Sequence, residues 1–109
     1  MVSGAAATFA VIRSRGPAWN AGLPMREQPV WNAHAAFMNA LAADGHIVLG
    51  GPLGDGERTL LIIEAASQAA VRRLLESDPW SGMNLLKIDS NTPWHILLAR
   101  LDGRQQRPS

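Results

Sequence analysis

The chain has no cysteine and no tyrosine, only two phenylalanines, and almost no net charge, with 10 Lys+Arg against 9 Asp+Glu in 109 residues. Without thiols there are no disulfides, no thiolate nucleophile, and no cysteine-bound zinc or iron–sulfur centre. A net charge of +1 leaves no electrostatic surplus for a long phosphate backbone, so nucleic acid is not an expected partner. No apolar run approaches the roughly 20 residues that span a bilayer, and Met1-Val-Ser-Gly lacks the basic start and apolar stretch of a signal peptide. The expectation is one soluble, cytoplasmic domain covering residues 1–109, with no membrane partner. Two separate cores would each be too small to hold together at this length.

What the chain does contain is tryptophan, four of them. Trp31, Trp80 and Trp94 lie close to prolines. A side chain this large is rarely placed without a packing or binding task. Residues 8–13 read as a strand. Residues 14–28 carry Gly16, Pro17, Gly22 and Pro24 with no period, and read as an extended loop that Trp19 and Met25 pack onto something.

Helical spacing begins near Pro29, which suits a first helical position, with Val30, Phe37 and Leu41 on one row and Trp31, Met38 and Ala42 on the next. Asp44-Gly45 supplies the stop. Residues 46–50 and 59–64 read as a hairpin turning at Gly54-Asp55-Gly56. Ser67 is the expected cap of a second helix whose apolar row is Ala70, Val71, Leu74 and Leu75. Residues 94–99 read as the last strand, preceded by a weaker run at 85–88, and a polar tail frays from residue 102.

The order βαββαβ predicts an α+β, ferredoxin-like fold of about residues 8–99, an antiparallel sheet with two helices on one face. The strands are apolar throughout, whereas a sheet facing water alternates. The bare face therefore predicts a homodimer joined through the sheets.

Three places carry potential chemistry. His34 falls inside the apolar stripe of the first helix, where an imidazole is either a core residue satisfied by a carbonyl or a shielded base. Asp78 precedes Pro79 at the end of the second helix, where a carboxylate opposes the helix dipole by roughly 0.3–1 kcal/mol and calls for a compensating donor. Adjacent helices bring the two within reach, and such a pair orients an imidazole as general base. Gly50-Gly51-Pro52 lies between strands, opens no helix and so is no phosphate loop; it reads as a bulge, or as a place where a ligand approaches backbone. His34, His46 and His95 have no metal-ligand spacing, so neither metal nor cofactor is expected.

Trp31-x-x-His34-x-x-Phe37, Asp44-Gly45, Gly50-Gly51-Pro52 and Asp78-Pro79-Trp80 together resemble the YCII-related family over roughly residues 8–99. The resemblance implies a ferredoxin-like dimeric α+β barrel, similar in shape to muconolactone isomerases and small antibiotic-type monooxygenases. It also implies an active-site pair formed by His34 and Asp78. One branch of the family is implicated in removing HCl from a chlorinated hydroxyquinol. The chain departs from smaller members in its Arg15 to Gln28 loop and in carrying Trp80 where they have another aromatic.

The resulting expectation is a cofactor-independent isomerase, lyase or hydrolase acting on a small cyclic or aromatic ligand. His34 and Asp78 would be catalytic, with Trp31, Gly50, Gly51, Pro52 and Trp80 against the substrate. The alternative is a non-catalytic ligand-binding or accessory dimer in which the pair only ties helices together. Access separates the two: a catalytic pair must open onto a cavity.

Overall fold

The structure, a computed structural model, describes residues 6–99; the expected frayed tail lies outside them. Eight elements follow the chain: β1 (Ala7–Arg15), a 3-10 turn (Met25–Glu27), α1 (Trp31–Ala43), β2 (Ile47–Leu53), β3 (Arg58–Ala65), α2 (Gln68–Glu76), α3 (Pro79–Gly82) and β4 (Leu86–Pro93). The strands form one antiparallel sheet in the order β2-β3-β1-β4. This is the ferredoxin-like α+β arrangement. Phe9 and Val11 of β1 and Leu61, Ile63 and Ala65 of β3 alternate onto one face, where Leu41 of α1 and Val71 and Leu75 of α2 close the core.

Local signals account for most boundaries. The Gly45 N–H donates to the Ala42 carbonyl and the His46 N–H to that of Leu41 (3.1 and 3.0 Å), the paired bonds that end a helix with Gly in the left-handed region, here at φ 85°. The Ser67 hydroxyl accepts from the Ala70 N–H and starts α2. Gly54 and Gly56, with φ of 52° and 90°, turn the β2–β3 hairpin.

Three expectations need correction. Helix α1 starts at Trp31, two residues beyond Pro29, because Val30 takes a left-handed conformation (φ 48°, ψ 37°) and serves as the cap instead. A β-branched residue there is strained by about 1–3 kcal/mol. Gly50-Gly51-Pro52 is not a bulge. It pairs in register with Leu61, Leu60 and Thr59, and the register shift falls earlier, between Ile47 and Leu49. Pro52 is tolerated because β2 is an edge strand, and a Cβ on Gly50 would stand 2.8 Å from Leu61 Cδ2.

The last strand is the weaker run, extended through Pro93; residues 94–99 have no regular structure. The cause is register. β4 pairs with β1 from Leu86 opposite Arg15 to Pro93 opposite Phe9, and after the Trp94 N–H bonds Thr8, β1 has almost run out. Leu97 and Leu98 are left 88% and 92% exposed.

Candidate functional site

The site grows from one alternation in β1. Phe9, Val11 and Arg13 all point to the helix side, so a guanidinium follows two core side chains and is itself only 1% exposed. A buried cation requires a partner, and Asp78 provides it: Arg13 Nη1 donates to Asp78 Oδ2 at 2.9 Å, while Nη2 donates to the Ser81 hydroxyl at 2.8 Å. The β1–β4 register shifts between Ile12 and Arg13, an irregularity of the kind found beside functional sites.

Asp78 stands at the junction of two helices. α2 ends at Glu76, and Asp78 caps the next helix, α3, with Pro79 in its first turn. Its N–H donates back to the Leu75 carbonyl at the end of α2 (3.1 Å), while its carboxylate accepts the Trp80 N–H at 2.9 Å, a compensating donor at the start of the next helix. Burial by itself pushes the carboxyl upward and is the largest single influence. The hydrogen bonds from His34, the Trp80 N–H and Arg13, with the attraction of His34, outweigh it and hold Asp78 below its ordinary value.

His34, on the inward face of α1, meets that carboxylate directly, with Nδ1 2.9 and 2.8 Å from its two oxygens. An ionised carboxylate can only accept, so Nδ1 carries the hydrogen and a neutral ring leaves its lone pair on Nε2. Nε2 makes no hydrogen bond within the described residues, and the side chain is 10% exposed. The ring stacks on Trp80 with centroids 3.8 Å apart and planes within 6°. Trp80 is fixed in turn by its indole N–H, which donates to the Pro29 carbonyl at 2.6 Å, next to strained Val30.

Trp31 lies 5.8 Å from the His34 ring and 5.7 Å from that of Trp80, and Trp19 packs edge-on against Trp80 at 5.5 Å. Two tryptophans thus contact the imidazole, and a third packs on one of them. The loop that carries Trp19 is anchored at its start by Gly16 and Ala18, whose N–H groups donate to the Leu85 and Asn84 carbonyls. At its end, buried Gln28 bonds Asn20 and the Leu23 carbonyl.

Beneath this loop is a cavity of about 60 Å³ lined by Arg13, Arg15, Trp19, Met25, His34, Met38, Gly56, Glu57, Thr59, Leu61, Trp80 and Leu86. Of its lining residues, Met25 and Glu57 are exposed and stand at its rim. Asp78 lies behind His34, and Trp31 supports the dyad without lining the cavity. Gly50, Gly51 and Pro52, expected against the ligand, do not line this cavity: they line a groove along the edge strand with Leu49, Leu60, Ile62 and Trp94, and Gly50 also borders Met38 and Leu61 on the helix side. Arg13, Arg15 and Ser81 were missed from sequence, although an arginine in phase with Phe9 and Val11 was a usable signal. Among the described residues no group of three His, Asp or Glu forms a metal-holding cluster, and no helix is long and apolar enough to cross a membrane.

The family model of the YCII-related domain matches residues 7–94. Among solved structures, the chain is similar to the 5-chloro-2-hydroxyhydroquinone dehydrochlorinase TftG of Burkholderia phenoliruptrix AC1100, in complex with 2,5-dihydroxybenzoquinone. The two share 28% identity with a TM-score of 0.57, over 82% of this chain and 92% of that one. No curated protein matches.

Proposed function

Since the chain belongs to the YCII-related family, we propose that it is a small enzyme in which His34 moves a proton on a small cyclic or aromatic substrate. The observation that carries this reading is the dyad's access: Nδ1 is held by Asp78, Nε2 makes no hydrogen bond within the described residues, and the residue lines a cavity. A purely structural pair has no need of that opening. Asp78 fixes the tautomer and stabilises the imidazolium formed when Nε2 accepts a proton, and Arg13 positions Asp78. Isomerisation, elimination and hydrolysis all begin with such a step. The likeness to TftG favours elimination, in which Nε2 takes the proton and the released electron pair expels chloride, a net loss of HCl.

Chloride release from 5-chloro-2-hydroxyhydroquinone tests the reading. His34→Gln keeps a donor for Asp78 but no base, and is expected to lower kcat by about 10²–10⁴-fold with little change in melting temperature. An unchanged rate would count against the proposal. A wild-type chain that binds the ring without converting it would favour the binding or accessory role.

The partner proposed is a second copy of the chain. On the face away from the helices, Leu49, Leu60 and Ile62 of the β2–β3 hairpin lie beside Ala10, Pro93 and Trp94, and the apolar run 96–98 extends from that edge without a strand to join. Gly50, Gly51 and Pro52 then lie at the subunit boundary.

A further inference from the structure

We propose that the cavity beside His34 selects a planar ring bearing an ionised oxygen, and that Arg15 is the residue that reads this charge; the inference rests on the reading of the cavity as a substrate site.

The two arginines that line the cavity are in opposite states. Arg13 is matched: its terminal nitrogens serve Asp78 and Ser81, and its charge is balanced at 2.9 Å. Arg15, two residues further along the same inward face of β1, forms no salt bridge among the described residues. Its Nε is buried and makes no hydrogen bond, a lack shared by Arg13 Nε. Buried donors without acceptors are costly and uncommon in folded proteins. The terminal nitrogens of Arg15, unlike those of Arg13, donate to no described residue, and they are the donors an acceptor entering the cavity would meet.

Arg15 is also held. Its guanidinium carbon lies 4.8 Å from the Trp19 ring centroid. Stacking occupies the face of a guanidinium and leaves its N–H edge, the part that binds oxyanions in pairs of hydrogen bonds. The one carboxylate lining the cavity, Glu57, is exposed at the rim and is not paired with Arg15. Asp78 is already neutralised by Arg13, so the positive charge that an anion inside the cavity meets is that of Arg15. The remaining walls are flat or apolar: the Trp19 and Trp80 rings, Met38, Leu61 and Leu86. Such walls suit a thin ring, and its ionised oxygen on Arg15 would fix which ring position faces His34 Nε2.

The test is equilibrium binding, followed by calorimetry, of benzoate, 4-nitrophenolate and the neutral isostere benzamide. Benzoate and 4-nitrophenolate separate a carboxylate from a phenolate as the oxygen recognised. At least one anion is expected to bind wild type about tenfold or more tightly than benzamide, the weight of a charge-assisted hydrogen bond. Arg15→Met is expected to abolish that preference, bringing the ratio of anion to benzamide affinity to about one. Arg15→Gln serves as a second neutral variant should the first not fold, and Arg15→Lys is expected to retain part of the preference. Equal affinity for benzamide and both anions, no binding of either anion at millimolar concentration, or an undiminished preference in both neutral variants would overturn the proposal. Because binding is measured apart from turnover, the outcomes separate. A charge preference that depends on Arg15, found together with a fully active His34→Gln variant, would remove the catalytic reading and leave this one standing.

Discussion

Asp78 is the residue on which the site depends, since it joins β1, α1 and α3 through Arg13, His34 and its own cap to Trp80. Removing one member of a buried ion pair leaves the other unsolvated, at about 3–5 kcal/mol. Asp78→Asn is expected to lose stability of that order in urea denaturation at neutral pH. The sign with pH follows from a folded pKa held below the ordinary value. The unfolded chain binds the proton first as pH falls, so the contribution is complete above the unfolded value of about 3.9 and is lost as pH drops through the lower folded one. The gap between wild type and variant should therefore be full at neutral pH and narrow only in acid. A gap that widened in acid would refute the assignment. At this scale His34, Asp78 and Trp80 were legible in the sequence, because an imidazole in an apolar helical stripe and an Asp-Pro-Trp step are local irregularities. Arg13 was harder to recognise: as the last residue of a short strand run it resembles an ordinary polar terminus, and only the pairing of β1 with β3 and β4 makes it interior.

At the scale of elements, the loop after β1 acts as the roof of the cavity, and its position depends on one close approach. Gly16 lies so near the following segment that a Cβ there would stand 2.2 Å from the Asn84 carbonyl oxygen, a backbone atom that cannot swing aside. Gly16→Ala is expected to cost about 1–3 kcal/mol and to shift the near-ultraviolet dichroism of Trp19, with far-ultraviolet dichroism unchanged. A variant with native melting and native aromatic signals would show that the loop is not held there. The elements themselves were read from caps and turns, and the reading failed where pairing outweighed composition. Asp89, Ser90 and Asn91 have poor strand propensity, yet they join β4 because β1 offers them an edge. The run Trp94 to Ala99 has the better strand composition but lies beyond the end of β1.

At the scale of the whole molecule, a four-stranded sheet is covered by helices on one side only. The opposite face carries Leu60 and Ile62 in alternation with core residues Leu61 and Ile63. The proposed second copy should appear in light scattering as twice the chain mass. Leu60→Asp, which places a charge on that face without entering the core, is expected to shift the equilibrium toward monomer. A monomeric wild-type chain at micromolar concentration would remove the homodimer from consideration.

The sequence by itself determined the fold class, the helix boundaries at Gly45 and Ser67, and the two residues of the dyad, because each is encoded over a few neighbouring positions by period, cap or breaker. The tertiary structure decided what those residues are for. Strand register brought Arg13 beneath Asp78, tertiary packing set Trp19 against Arg15, and the β2–β3 pairing put Gly50-Gly51-Pro52 along an edge strand, outside the cavity beside His34. None of these follows from local spacing, since each depends on contacts between residues far apart in the chain, and burial is what makes a charge in such a contact demand its partner.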